Sequence, residues 1–323
     1  MKKRYKIIFC LLFALFLPLS GCGKSFSDEV IAKIDGKEVM KSEYMVYLYT
    51  TTQNFVSTAG NDVWNIDFDG MTGEELVQER AFTTIQSVVA ASQYAKENDV
   101  VLSEAQKQEA YQAATDFLEQ TPQQDLQKMG VNEKKMQALM EKSYLYSVVY
   151  EMLAEECEVS EQDMKKYQTE YADTIRNDYT QIRLQSIMVD DAQTAEEVAN
   201  KAKAGENFET LFAEYDVDIE AKQNNKTGEV TLYQNYLKMT FGITEDLEKG
   251  QITNGIKTGD KYFVLKVMDI VPPTDEEVYK LAEQIYRNQV QSEYVDTRLS
   301  EMIETQEVEK IPDVWENLDS FRP

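Results

Sequence analysis

The spacing of apolar positions changes period twice along the chain. Residues 30–40, VIAKIDGKEVM, alternate at Val30, Ala32 and Ile34, break at Asp35-Gly36 and resume at Val39, which predicts a hairpin with a two-residue turn. From Ser42 to about residue 178 the period is helical. Thr72-Gly73-Glu74-Glu75 has the form of a capping box ahead of Val77, Ala81, Ile85 and Val88, a stripe at i, i+4, i+8 and i+11. Ser103 to Gln106 is a second box, before a helix that ends near Thr121-Pro122. Asn132 is placed to cap a third helix carrying Met136, Leu139 and Met140, and Ser160 to start another carrying Met164, Tyr167 and Tyr171.

From 179 to 271 the pattern mixes strand and helix. Ile182, Leu184, Ser186 and Met188 alternate with Arg183, Gln185, Ile187 and Val189, as in a strand. Thr194-Ala195-Glu196-Glu197 reads as a capping box opening a helix that stops at Gly205, and Asn207 as the cap of a helix through Phe208, Leu211, Phe212 and Tyr215. A polar loop at 216–227 then leads to a strand at 229–233, a helix near 241–247, and a hairpin turning at Thr258-Gly259-Asp260 into 262–267. The predicted order is β-α-α-loop-β-α-β-β. Pro272-Pro273 closes this unit, and Thr274-Asp275-Glu276-Glu277 caps a long helix through Val278, Leu281 and Ile285. That helix and the terminal VEKIPDV have no core of their own. They are expected to return to the N-terminal helices, so that 28–178 and 272–323 form one discontinuous helical domain with 179–271 inserted in it.

Composition then excludes whole classes of function. The 323 residues contain 33 Lys+Arg, 58 Asp+Glu and no histidine, a formal charge of −25. Without a basic stripe after residue 6, a chain this acidic has no electrostatic means of binding a phosphate backbone, so nucleic acid is not expected as a partner. The absence of histidine removes Ser-His-Asp triads, Cys-His pairs, His-ligated zinc and imidazole acid–base chemistry together. Asp190-Asp191 and Asp216-Val217-Asp218 lack the glycine and terminal glutamate of a calcium loop and read as solvated turns, so no metal and no cofactor is expected. Thirteen glycines and six prolines are few for the length and favour long helices over sandwiches of many turns.

The first 21 residues read as an export leader. Lys2, Lys3, Arg4 and Lys6 form a basic head, 7–17 is an apolar run too short to span a bilayer of about 30 Å, and Leu19-Ser20-Gly21-Cys22 closes it. The closing tetrapeptide resembles a bacterial lipobox, which implies cleavage before Cys22, acylation of its thiol and a short lipidated tether over 22–29. Cleavage removes four bases and no acids, leaving 29 bases against 58 acids, or −29. The segment 179–271 has 10 bases and 16 acids, so the helical part carries most of that charge. Once Cys10 leaves with the leader and Cys22 takes lipid, Cys157 is the remaining cysteine and reads as a small packing residue.

Several stretches resemble the PrsA/SurA group of exported foldases, in which a helical chaperone domain carries a parvulin-type peptidyl-prolyl isomerase module. Residues 182–189, IRLQSIMV, resemble the first parvulin strand; Gly205-Glu206-Asn207-Phe208-Glu209-Thr210-Leu211 its "G-x-(D/N)-F-x-x-L" helix start; Leu247-Glu248-Lys249-Gly250-Gln251-Ile252 its "L-x-x-G-x-I" turn; and 262–267, YFVLKV, its last strand. VIAKIDGKEVMKSEY resembles the opening of a SurA-like N-domain. The resemblance implies an α+β protein: a discontinuous SurA-like chaperone domain with an inserted, FKBP-like antiparallel-sheet domain. It further implies unfolded or proline-containing exported polypeptides as clients, a site on the outer face of the bacterial cytoplasmic membrane with Cys22 as the lipid anchor, and, by analogy, a homodimer through the helical domain.

The departures bear on activity. The two strand histidines usual in parvulins fall here at Ser186 and Phe263, and the usual glycine-rich stretch is reduced to Thr227-Gly228-Glu229-Val230-Thr231-Leu232-Tyr233. By position, Ser186, Tyr233 and Phe263 are the catalytic candidates, with Glu229 a further polar group, and Met188, Leu232, Leu237 and Phe241 the expected ring-binding side chains. Amide rotation needs no nucleophile and no net proton transfer, only a dry pocket favouring the twisted bond against a barrier of about 18–20 kcal/mol. A chaperone with weak or absent isomerase activity is therefore the principal reading, and an active isomerase with an altered site the alternative. A solute-binding lipoprotein is a third, disfavoured by about 130 residues of successive helices in place of alternating βα units.

Overall fold

A computed structural model describes residues 28–318 and 320–322; the leader at 1–21, Cys22 and the tether up to residue 27 lie outside the described residues. The fold combines helix with antiparallel sheet, and 62% of it is helical. Two compact units divide the described residues, one of residues 28–150 with those from 299 onward and one of residues 151–298.

In the first unit β1 (Val30–Ile34) and β2 (Lys37–Met40) form the expected hairpin, with Asp35 and Gly36 both at positive φ in its turn. The helices α1 (Lys41–Ala59), α2 (Gly73–Glu97), α3 (Glu104–Gln120) and α4 (Gln123–Met129) follow, then α5 (Glu133–Glu155), whose last turn passes into the second unit. Both capping boxes form: Glu75 N donates to Thr72 Oγ1 while Glu75 Oε2 accepts from Thr72 N, and Ser103 and Gln106 make the same reciprocal pair. Lys135 N donates to the Asn132 side chain, as its capping role requires. One face of each helix supplies a core that includes Ile31, Tyr44, Met45, Ile85, Met129 and Met136.

The chain's end closes this core. The strand β7 (Val308–Lys310) adds to β1, giving the order β2-β1-β7, and the short helix α12 (Pro312–Trp315) places Trp315 against Tyr44 and Phe82 at ring separations of 5.0 and 5.4 Å. Lys310 lies over the rings of Phe82 and Trp315, and its burial lowers its ammonium pKa.

In the second unit α6 (Glu161–Asp178) precedes a four-stranded antiparallel sheet of order β4-β3-β6-β5. Its strands are β3 (Gln181–Val189), β4 (Glu229–Tyr233), β5 (Ile256–Thr258) and β6 (Lys261–Val271). Between β3 and β4 lie α7 (Ala192–Lys203), α8 (Phe208–Tyr215) and α9 (Ile219–Asn224); α10 (Gln234–Phe241) follows β4. The helix α11 (Asp275–Glu304) starts at the predicted Thr274–Glu277 box.

Three expectations change. The helix expected from Thr194 begins at Ala192, because Asp191 is the cap and takes both the N–H and the hydroxyl of Thr194. The loop 216–227 contains α9, capped by Asp218. The helix expected near 241–247 instead occupies 234–241. Gln234 N donates to Thr180 O at its start, and Gly242 in the left-handed region ends it. Within residues 151–298, Ile175 of α6 meets Val278 and Ala282 of α11, and Arg176 donates to Pro273 O and pairs with Asp275.

Truncating the half-buried Trp315 to alanine is expected to remove about 2 kcal/mol of stability, below the range for fully buried aromatic truncations, and to lower the thermal midpoint of the first unit. Differential scanning calorimetry checks this.

Candidate functional site

The pairing of β3 with β6 sorts the side chains of the second unit. It runs from Gln181 opposite Val271 to Val189 opposite Tyr262, with one register shift between Arg183 and Leu184. On one face Ile187, Val189 and Val264 pack beneath α7 and α8 with Val198, Phe208 and Leu211. On the other, Ile182, Leu184, Leu265 and Val267 pack with Leu237, Ile243 and Leu247, and Leu232, Phe241 and Phe263 lie at the margin. Alternation places Ser186 and Met188 on this second face.

Four predicted residues therefore share one region. Met188 is the register partner of Phe263, and Ser186 of Leu265. The Phe241 ring stands edge-on to Phe263, with centroids 5.2 Å apart and planes at 77°. Ser186, Met188, Phe241 and Phe263 are all half-buried, so they keep some surface for a ligand. Phe241 also lines a cleft of about 320 Å³ with Ile243, Leu247, Ile252 and Ile256. Leu232, opposite Ile182, borders the same core.

Two predicted residues are placed elsewhere. Leu237 is 0% exposed and fills the core between α10 and the sheet, so it has no surface left for a substrate ring. The strand period turns Tyr233 to the opposite face from Leu232, where its ring lies 5.7 Å from that of Tyr179. Glu229, at the start of β4, pairs with Gln185.

The edge of β3 beyond β4 contains a feature that sequence reading missed. Ser186 N donates to Gly228 O at 2.9 Å, and Gln185 Nε2 to Thr227 O. Gly228 sits at positive φ, and a Cβ there would lie 2.8 Å from both Ser186 O and the Phe212 ring, so glycine alone permits this approach. Farther along, Met188 N donates to Asp216 Oδ2 and Val217 N to Met188 O, while Asp216 Oδ1 accepts from Asp218 N. Asp216 is only 6% exposed. It is a buried clamp on Met188 rather than a solvated turn, and burial pushes its carboxyl above the usual carboxylate range. A run of Asp-Val-Asp carries no sequence signal that separates these two states.

The assembled surface has an apolar floor of Met188, Phe263 and Phe241, one hydroxyl from Ser186 and no imidazole. It can receive an apolar ring and exclude water from it. It offers no acid–base pair.

No family profile matches the chain. Curated relatives named foldase protein PrsA do match. The one from Caldanaerobacter subterraneus is 22% identical over 319 residues, covering 93% of this chain and 96% of the relative. The one from Bacillus subtilis is 30% identical over 254 residues, covering 77% and 71%. The crystal structure of foldase protein PrsA from Streptococcus pneumoniae aligns at a TM-score of 0.46 and 17% identity, over 86% of this chain and 93% of that one.

Asp216→Ala leaves the half-buried N–H of Met188 and that of Asp218 without their acceptor, and is expected to cost about 2 kcal/mol in urea unfolding. The raised carboxyl also sets a sign with pH. A group that holds its proton more tightly when folded stabilises most below its unfolded pKa and loses that contribution as pH rises through the folded one. Wild type should therefore lose stability relative to Asp216→Asn as pH rises from about 4 toward neutrality.

Proposed function

The chain belongs to the PrsA foldase family, and from that premise we propose that it is a lipid-anchored extracytoplasmic foldase that holds unfolded exported polypeptides and isomerises prolyl bonds weakly or not at all. One observation carries this reading: Met188, Phe263 and Phe241 build an apolar face, and both positions usual for histidine hold other residues, Ser186 and Phe263. A proline ring bound against these side chains loses apolar area to water, which favours binding at about 25 cal/mol per Å². Turnover asks for more. The twisted amide has to be favoured over both planar forms, which takes polar groups fixed where its charge redistributes. Here Ser186 is the single polar side chain in register with the floor, and Phe263 places a hydrocarbon opposite Met188.

Among the described residues no helix is long and apolar enough to cross a membrane, and the proposed attachment is acyl lipid on Cys22. The net negative body then faces away from anionic headgroups by repulsion, which suits a tethered holder of basic or extended clients. Tyr233 and Leu237 take no part in the proposed groove; Ser186, Met188, Leu232, Phe241 and Phe263 compose it.

Two assays on one preparation test the proposal. Suppression of aggregation of a reduced, unfolded exported protein is expected at stoichiometric concentration. The protease-coupled rate for cis-Ala-Pro peptides is expected to fall about 100-fold or more below that of a parvulin with both histidines, the scale of losing a preorganised polar group. Turnover at the parvulin rate would select the active-isomerase alternative. Phe241→Ala should weaken binding of an Ala-Pro peptide about tenfold, equivalent to 1.4 kcal/mol. Cys22→Ser should abolish incorporation of labelled fatty acid and release the protein from the membrane fraction.

A further inference from the structure

A second concave site lies in the unit of residues 151–298, at the strand ends away from the apolar groove. It is a cavity of about 450 Å³ lined by Tyr179, Gln181, Tyr233, Val271, Pro272 and Pro273 together with Glu277, Lys280, Leu281 and Gln284 of α11. Its walls are fixed by charge-assisted bonds. Arg176 Nη1 donates to Pro273 O at 2.8 Å and Nη2 to Asp275 at 2.5 Å, tying the end of α6 to the start of α11. Lys238 Nζ donates to Asn177 Oδ1 at 2.6 Å and to Asp178 Oδ1 at 2.8 Å, tying the same end of α6 to α10. The two clamps hold the Tyr179 and Tyr233 rings 5.7 Å apart at 60°, with Tyr233 45% exposed.

The lining suits an extended chain. Its two charged side chains already have partners of opposite or polar character: Glu277 Oε2 accepts from Thr274 N and Oγ1, and Lys280 pairs with Glu276. The rest of the lining is two phenol rings with polar tips, two proline rings, a leucine, a valine and two side-chain amides. Tilted tyrosines beside prolines form the kind of slot into which an extended polyproline-II segment packs its rings, and phenol and amide groups supply hydrogen bonds to the peptide carbonyls that this helix leaves unpaired. We infer that the Tyr179–Tyr233 cavity is a second docking site for extended, proline-containing polypeptide, separate from the Met188–Phe241–Phe263 groove. Adjacent residues of β4 serve the two places: Leu232 borders the groove core and Tyr233 the cavity. The site does not depend on isomerase turnover or on the anchor.

The test uses the full chain in detergent micelles and a fluorescein-labelled peptide of five Ala-Pro repeats, read by fluorescence anisotropy. In a Phe241→Ala background, which weakens the groove, binding is expected to persist. Adding Tyr179→Ala, or Gln284→Trp to fill the cavity from an exposed position, is expected to weaken that residual binding at least tenfold. The two additions alter different walls, and a thermal midpoint within a few degrees of the background establishes that each is folded. Loss of all binding in the Phe241→Ala background overturns the inference, as does residual binding that neither addition changes. Neither result bears on aggregation suppression by the wild-type chain, which tests the foldase reading separately.

Discussion

The antiparallel register of β3 on β6 is the constraint on which the second unit depends. Because side chains alternate along a strand, putting Met188 opposite Phe263 also puts Ile187 opposite Val264 on the other face. A slip of one residue would move Met188 and Ser186 under α7 and α8 and turn Ile187 and Val189 toward the groove. Register is held at one end by the pairing of Gln181 with both Tyr233 and Val271, and at the other by Asp216, whose buried carboxylate binds the Met188 N–H. An apolar groove without imidazole follows from this registration together with the residues at positions 186 and 263.

The same principle organises the first unit more simply. There the hairpin of β1 and β2 is completed by β7 from the far end of the chain, and Trp315 seals the helices against it. Ordering a chain terminus against the core in this way costs backbone entropy, which the burial of Trp315 and Phe321 offsets. The folded state of this unit therefore needs both ends of the sequence, although few residues of the C-terminal end are involved.

What was legible in the sequence was mostly local. The boxes at Thr72–Glu75, Ser103–Gln106 and Thr274–Glu277 join residues three apart, and the Asp35-Gly36 turn is set by its own φ preferences, so each could be read from a short window. The strand at 182–189 and the face shared by Ser186 and Met188 were legible because period 2 is a strong signal, whereas Phe263 was placed by the resemblance to parvulins. The rest was decided at long range. The place of α10 depends on Gln234 bonding Thr180 and on Lys238 reaching Asn177 and Asp178, about 60 residues away in sequence. Its displacement takes Leu237 into the core, while Tyr233 faces away because it is next to Leu232 on an alternating strand. The packing of α6 on α11 is likewise a contact that no local pattern announces. Asp216 looked like any acidic turn residue, and only its burial sets it apart.

Methyl NMR of the methionine-labelled protein, titrated with an Ala-Pro peptide, addresses the central point most directly, because it reports where a prolyl peptide binds and how fast its bond turns. The account predicts that the Met188 methyl resonance shifts, that Met239, 86% exposed on α10, does not, and that exchange spectra of the bound peptide show no cis–trans cross-peaks on the timescale of seconds. An unperturbed Met188, or strong cis–trans cross-peaks at catalytic protein concentration, would contradict it.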